Sequence, residues 1–214
     1  MSSRMGREVA NSLRESTMSI LNMWKVGRLK SPGSIRHQGK QLSEILAAHE
    51  QFISGKETGV RADLAGANLS RANLEGANLA YTNFQGANLD GASLREAKLG
   101  SADFTKARLR SADLRRADLT EANLSGADLT EARVGGAELF RADLRNAILR
   151  GADFGAANFR NAEVQGADFH GANLKTTILR ETNLEGVDLS GVDLSTTLLP
   201  RGYKVPGAAK GEPS

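Results

Sequence analysis

The chain contains no cysteine, which excludes disulfides and thiolate metal sites and points to a reducing compartment such as the cytoplasm. Large aromatics are scarce: one Trp, two Tyr and seven Phe in 214 residues, few for the packed core of an ordinary domain of this length. No run of about 18 apolar residues occurs, so no segment reads as a membrane-spanning helix. The first residues lack an apolar stretch followed by a small-residue cleavage site, and no secretory signal is expected. Proline is missing from Gly33 to Leu199, as in a region whose backbone N–H groups are all needed as donors. The histidines, His37, His49 and His170, are scattered without metal-ligand spacing, and no phosphate-binding glycine loop is present. Neither a metal, a cofactor nor a catalytic constellation is expected, and the chain reads as a non-enzyme.

What is abundant is small: Gly occurs 23 times, and Ala and Leu carry most of the apolar content. From Leu64 to Leu199 a Leu, Phe or Val recurs every fifth residue, 28 times without a break. Two residues before each stands Ala in 22 cases, replaced by Thr82, Thr177, Thr182, Val187, Val192 and Thr197 in the rest. Asp or Asn is the commonest residue between the two. Gly often follows two positions after the central residue, as at Gly66, Gly76, Gly86, Gly91, Gly126 and Gly166. A period of five fits neither a helix face nor an alternating strand. It fits a coil that turns a corner every five residues, with the central residue and the preceding small residue pointing inward.

The repeated Ala-(Asp/Asn)-Leu-x-x, as in the run from Ala65 to Leu79, resembles the pentapeptide-repeat family over about two thirds of the chain. The resemblance implies an all-β solenoid: a right-handed parallel quadrilateral β-helix with four pentapeptides to the coil. About seven coils then span residues 60–200. At roughly 4.8 Å per coil the rod is about 34 Å long.

Residues 20 apart then stack, and the outward positions form four columns. The first reads Asp63, Asn83, Asp103, Asn123, Asp143, Glu163, Asn183, all acid or amide, and Asp103, Asp143 and Glu163 are candidate partner contacts. The second places Arg108 beneath Asp128, the third sets Arg133 between Asp113 and Asp153, and the fourth places Lys98 beneath Asp118. These columns read equally as solvated surface with weak ion-pair ladders. Outward apolar residues gather on the fourth face at Phe140, Ile178 and Leu198, with Ile148 on the second. They mark either a contact surface or a face covered by the C-terminal tail.

A β-helix has open edges that must be blocked. Residues 41–53 carry Leu42, Ile45, Leu46, His49, Phe52 and Ile53 on one stripe, and a capping helix is expected within residues 34–59. His49 reads as a half-buried residue of that helix. Residues 1–33 form a basic amphipathic segment containing Leu21 and Trp24, interleaved with Arg7, Arg14, Lys25 and Arg28. Four placements are open to it: docking on a partner, lying on an anionic membrane, packing beside the cap, or remaining loosely ordered. At the other end, residues 201–214, with Pro206 and Pro213, read as a mobile tail.

The best-known functional members of the family bind DNA gyrase by imitating duplex DNA. Duplex DNA carries one charge per about 1.7 Å, so a 34 Å mimic would face on the order of 20 negative charges. Residues 61–200 hold 16 Lys and Arg against 19 Asp and Glu, a net of −3. The chain also has no evident C-terminal dimerisation helix and no loop interrupting the coil. The leading expectation is therefore a scaffold with an unidentified protein partner, with gyrase or topoisomerase binding second. Direct binding of nucleic acid is disfavoured by interleaved acids and few aromatics. Oligomeric state is left open by the sequence.

Overall fold

The computed structural model of the chain describes residues 29–204. Its core is the five-residue frame. Every central residue from Leu64 to Leu189 is buried, and so is each preceding Ala from Ala62 to Ala172 apart from the half-buried Ala77. Ala is required there because the side chains of four faces converge on one axis, where packing leaves no spare volume. Two levels of the bore are filled by aromatics. Phe84 and Phe104, 20 residues apart, stack with ring centroids 4.6 Å apart, and Phe154 meets Phe159 edge-on at 5.1 Å.

Each corner is a β-turn. Leu64 O accepts the Ala67 N–H at 3.0 Å, and Gly66 between them has φ of 65°. That left-handed position recurs two residues after the central one and is occupied by non-glycine residues 15 times between Arg71 and Glu181. The outward Asp or Asn stabilises the same corner from outside. Asp63 Oδ1 accepts the Ala65 N–H at 3.2 Å, and Asn83, Asp103, Asn123, Asp143 and Asn183 do likewise for the residue two positions on. This Asx turn is the physical reason for the residue type at that position.

Successive coils pair in parallel with a register of 20, as in Asp63 with Asn83, Asn68 with Asn88, Asn73 with Ser93 and Asn78 with Lys98. Each contact uses two bonds: Leu64 N–H donates to Asn83 O at 2.7 Å and Asn83 N–H to Ala62 O at 3.2 Å. The ladders are one residue wide on each face, so the chain makes a sheet surface without long strands.

Ahead of the first coil the chain is not repetitive. Lys30 pairs in parallel with Ala72, its N–H donating to Arg71 O at 2.7 Å and its O accepting from Asn73 at 2.9 Å. The edge of the first coil is thereby occupied on its third face. A 3-10 turn over Pro32–Ser34 leads to a two-residue hairpin, β1 (Arg36–His37) with β2 (Lys40–Gln41), and then to helix α1 (Leu42–Ile53). Glu44 accepts the Gln41 N–H at 3.1 Å at the start of α1. Leu42 enters the core, Ile45 and Leu46 pack against it, and Phe52 is left partly exposed. Gly59 lies so close under α1 that a Cβ there would sit 2.2 Å from Phe52 N.

The last coil departs from the frame. Val187 and Val192 replace Ala, and Thr182 and Thr197, like Thr177 at the end of the coil before, donate their hydroxyls to the Phe159, Leu174 and Phe154 carbonyls at 2.6, 2.8 and 2.9 Å. Backbone bonds join this coil to the one before on the fourth face, from Leu179 to Leu198 O and from Leu198 to Thr177 O, both 2.8 Å. The first face keeps a bridge of Glu163 with Asn183, but no pairing reaches Asp188 or Asp193 on the second and third faces. Val is bulkier than Ala at the crowded axis, and the seam opens where it stands. Tyr203 follows the coil and packs against the core.

Candidate interaction surfaces

The charged side chains on the faces are largely paired with one another. Arg95 meets Glu75 at 3.7 Å, Arg116 meets Glu96 at 3.5 Å and Arg141 meets Glu121 at 3.7 Å, each 20 residues below. Stacking alone does not set every partner. Asp128 is taken by Arg110 at 2.5 Å, while Arg108, directly beneath it in the column, turns to Asp90. A guanidinium on a long stem reaches the neighbouring corner as easily as the residue above it.

The acid and amide column illustrates the same self-pairing. Arg145 clamps Asp143 with Nε at 2.9 Å and Nη2 at 2.6 Å, and its Nε also lies 3.1 Å from Glu163. Asp103 accepts from Thr105 Oγ1 at 2.6 Å and Gln85 Nε2 at 2.5 Å. Burial pushes the Asp103 carboxyl up, but the Thr105 and Gln85 hydrogen bonds outweigh it and hold the group below its ordinary range. The Arg145 guanidinium holds the Asp143 carboxyl down, against the opposing effect of burial. Glu163 is the member of the column whose longer side chain makes no Asx turn, and it is more than half exposed.

On the fourth face Ile178 and Leu198 are bridge partners one coil apart. Ile178 is half-buried and Leu198 is 42% exposed. Phe140 stands two coils below Ile178, half-buried, with the Arg141 guanidinium 5.0 Å from its ring centre. Ile148 is exposed alone on the second face. Tyr81 and Val60 are also exposed, as is Phe52 of the α1 stripe. Leu21 and Trp24 lie outside the described residues.

Two recesses accompany these faces. One of about 460 Å³ is lined by Arg150, Gly166, Asp168, His170, Gly186 and Asp188, beside the loosened seam. The other, of about 150 Å³, lies between the hairpin, α1 and Val60. Among the described residues no group of three or more His, Cys, Asp or Glu is placed to hold a metal ion. No helix among them is long and apolar enough to cross a membrane.

His49 is fully buried at the junction of α1 and the coils. Its Nδ1 accepts the Ala62 N–H at 3.1 Å, which leaves Nε2 to carry the proton and donate to Thr82 Oγ1 at 3.2 Å. The ring stacks on Phe52 at 5.7 Å. Thr82 is the departure from Ala that falls far from the last coil, so the signal for this contact stood in the sequence as a single misfit in the frame.

The pentapeptide repeats match this chain in eight copies over residues 60–95, 97–136, 137–175 and 165–195. The chain belongs to the pentapeptide-repeat family, whose members are right-handed quadrilateral β-helices, and its paired coils are such a solenoid. Among solved structures it is similar to the pentapeptide repeat protein Rfr23 of the cyanobacterium Cyanothece, at 32% identity over 58% of this chain and 86% of that one, with a TM-score of 0.35. It is similar to HetL of the cyanobacterium Nostoc, involved in heterocyst differentiation regulation, at 28% identity over 70% and 90%, with a TM-score of 0.27. Likeness also extends to QnrB1, a plasmid-mediated fluoroquinolone resistance protein, at 23% identity over 67% and 79%, with a TM-score of 0.41. No curated protein matches the chain.

Proposed function

We propose that the chain is a non-enzymatic interaction scaffold in the cytoplasm: a rod of seven coils, capped by α1, that presents a protein-binding surface. The observation that carries this reading is the contrast across the rod's exterior. Arg and acid side chains satisfy each other coil by coil, whereas Ile178, Leu198 and Phe140 put apolar surface on the fourth face. An exposed apolar cluster within a self-paired polar surface is the usual mark of a contact. The segment before Ser34 is the second docking element. Its basic amphipathic pattern and its attachment to the third face through Lys30 support that role. Affinity capture tests this with three proteins: the full chain, a chain beginning at Ser34, and an Ile178→Glu/Leu198→Glu double variant. A partner retained by the first and lost from one of the others supports the scaffold; identical captures from all three would sink it.

Topoisomerase binding by partial DNA mimicry is the second reading, favoured by the column from Asp63 to Asn183. The engagement of Asp143 and Glu163 by Arg145, and of Asp103 by Gln85 and Thr105, weakens it, because the oxygens of those acids are already occupied within the rod. A supercoiling assay with micromolar protein that shows neither inhibition nor protection of gyrase rejects it. Membrane tethering by the N-terminal segment is tested separately by co-sedimentation with anionic vesicles, which removal of residues 1–33 should abolish.

A further inference from the structure

The inner position of the rod is Ala at every step from Ala62 to Ala172 except Thr82, and Thr82 faces His49. The ring is fully enclosed, and both its nitrogens are used in opposite senses, Nδ1 as acceptor from Ala62 and Nε2 as donor to Thr82. The Ala80 backbone beside the ring favours its protonated form. This arrangement admits one tautomer of the neutral ring. An imidazolium would point an N–H at the Ala62 N–H and place a charge where no water reaches it.

We propose that His49 is an acid-sensitive latch: neutral, it locks α1 onto the first coil, and its protonation releases the helix and uncovers the N-terminal end of the bore. The inference rests on α1 being the cap of the rod. Among the described residues, the charged groups acting on the ring are Glu50 from α1 and Arg61 from the lead-in to the first coil; Ala62, Ala80 and Thr82 bring none. Burial is the main influence and lowers the ring's affinity for a proton, with Arg61 acting in the same sense and the Ala80 backbone and Glu50 opposing. The folded state therefore binds fewer protons than the opened one. Cap stability is complete above the ordinary imidazole value of about 6.5 and falls as pH drops from there toward the lowered value.

Hydrogen exchange of the full chain, followed by mass spectrometry at pH 7.5, 5.5 and 4.5 and corrected for intrinsic rates, reads the latch directly. Protection of residues 42–60 should fall by up to about tenfold per pH unit below 6.5, while protection of residues 100–150 stays constant. In His49→Gln, whose amide can accept and donate but does not titrate, it should not change with pH. Constant protection in the natural chain, or an equal fall in His49→Gln, overturns the latch while leaving the cap intact. No protection of residues 42–60 at pH 7.5 overturns the cap itself. Should His49→Gln fail to dock α1, ring ¹⁵N shifts of the natural protein decide. An unprotonated Nδ1 at pH 7.5 that titrates together with the α1 amides supports the latch, and a ring titrating independently of them contradicts it.

Discussion

At its first coil the rod meets a helix whose histidine reaches into the bore; at its last it meets a seam fastened on two faces of four and the side chain of Tyr203. Both ends break the Ala rule at the inner position, with different consequences. Thr82 gives a buried partner to His49, so the substitution joins two elements. Thr177, Thr182 and Thr197 bond to carbonyls of the preceding coil, while Val187 and Val192 add volume without a polar partner. The difference teaches that one departure from a repeat can be a joint or a loosening, depending on whether a second element meets it.

The largest expected contrast is between core positions in the two regions. Leu124→Ala, fully enclosed in mid-rod, should cost about 3 kcal/mol by chemical denaturation, because the tight bore cannot collapse on the cavity. Leu194→Ala, half-buried in the last coil, should cost about 1 kcal/mol. Equal losses would mean that the last coil is as tightly packed as the middle. Exchanging the inner residues sharpens the same point. Ala127→Val should destabilise by about 2 kcal/mol through overpacking, whereas Val187→Ala should change stability little and slow amide exchange across the seam.

Much of this architecture was legible because the inward pattern repeats without error: the twenty-residue register and the buried Leu and Ala positions follow from it directly. The outward Asp and Asn were legible as a pattern but not as a cause. Their role emerges from the Asx bonds to the backbone two residues on, which local geometry decides. The pairing of Lys30 with Ala72 carries no repeat signature, since a non-repetitive segment borrows the edge. Partner choice among the arginines depends on side-chain reach, as the turn of Arg108 to Asp90 illustrates. The double role of the His49 ring was likewise out of reach, because it needs α1, the first coil and Thr82 to be placed together.

Acid should separate the regions by pH. If His49 acts as proposed, α1 should loosen below about 6.5, but the rod should hold until lower pH. The carboxyls of Asp113, Asp128 and Asp143 are held below their ordinary range; burial opposes this at Asp113 and Asp128 but is outweighed by their hydrogen bonds, and Arg145 dominates at Asp143. Their stabilising contribution is present above the ordinary carboxylate value of about 4 and is lost as pH falls through the lowered ones. Circular dichroism of the rod and exchange of α1 should therefore show two acid transitions, and a single shared one would contradict the separation.

A smaller effect of opposite sign is expected at Thr176, a β-branched residue at a corner with φ of 57°. Thr176→Gly should stabilise the protein by about 1 kcal/mol or less, the relief of the left-handed strain being partly offset by lost chain entropy and by the Thr176 hydroxyl bond to Lys175 O. A loss of melting temperature would show that the hydroxyl bond outweighs the strain.

The difference between the coils is tested most directly by residue-resolved amide exchange of the natural protein at neutral pH. The N–H groups of Phe104, Leu109 and Leu114 donate to carbonyls of the next coil at 2.6 to 2.7 Å, whereas those of Phe169 and Leu174, on the two faces without a bridge to the last coil, make no such bond. The second set should exchange at least about a hundredfold faster than the first, as expected for a coil that opens below the global unfolding energy. Equal protection of the two sets would contradict a rod whose last coil is held by its first and fourth faces alone.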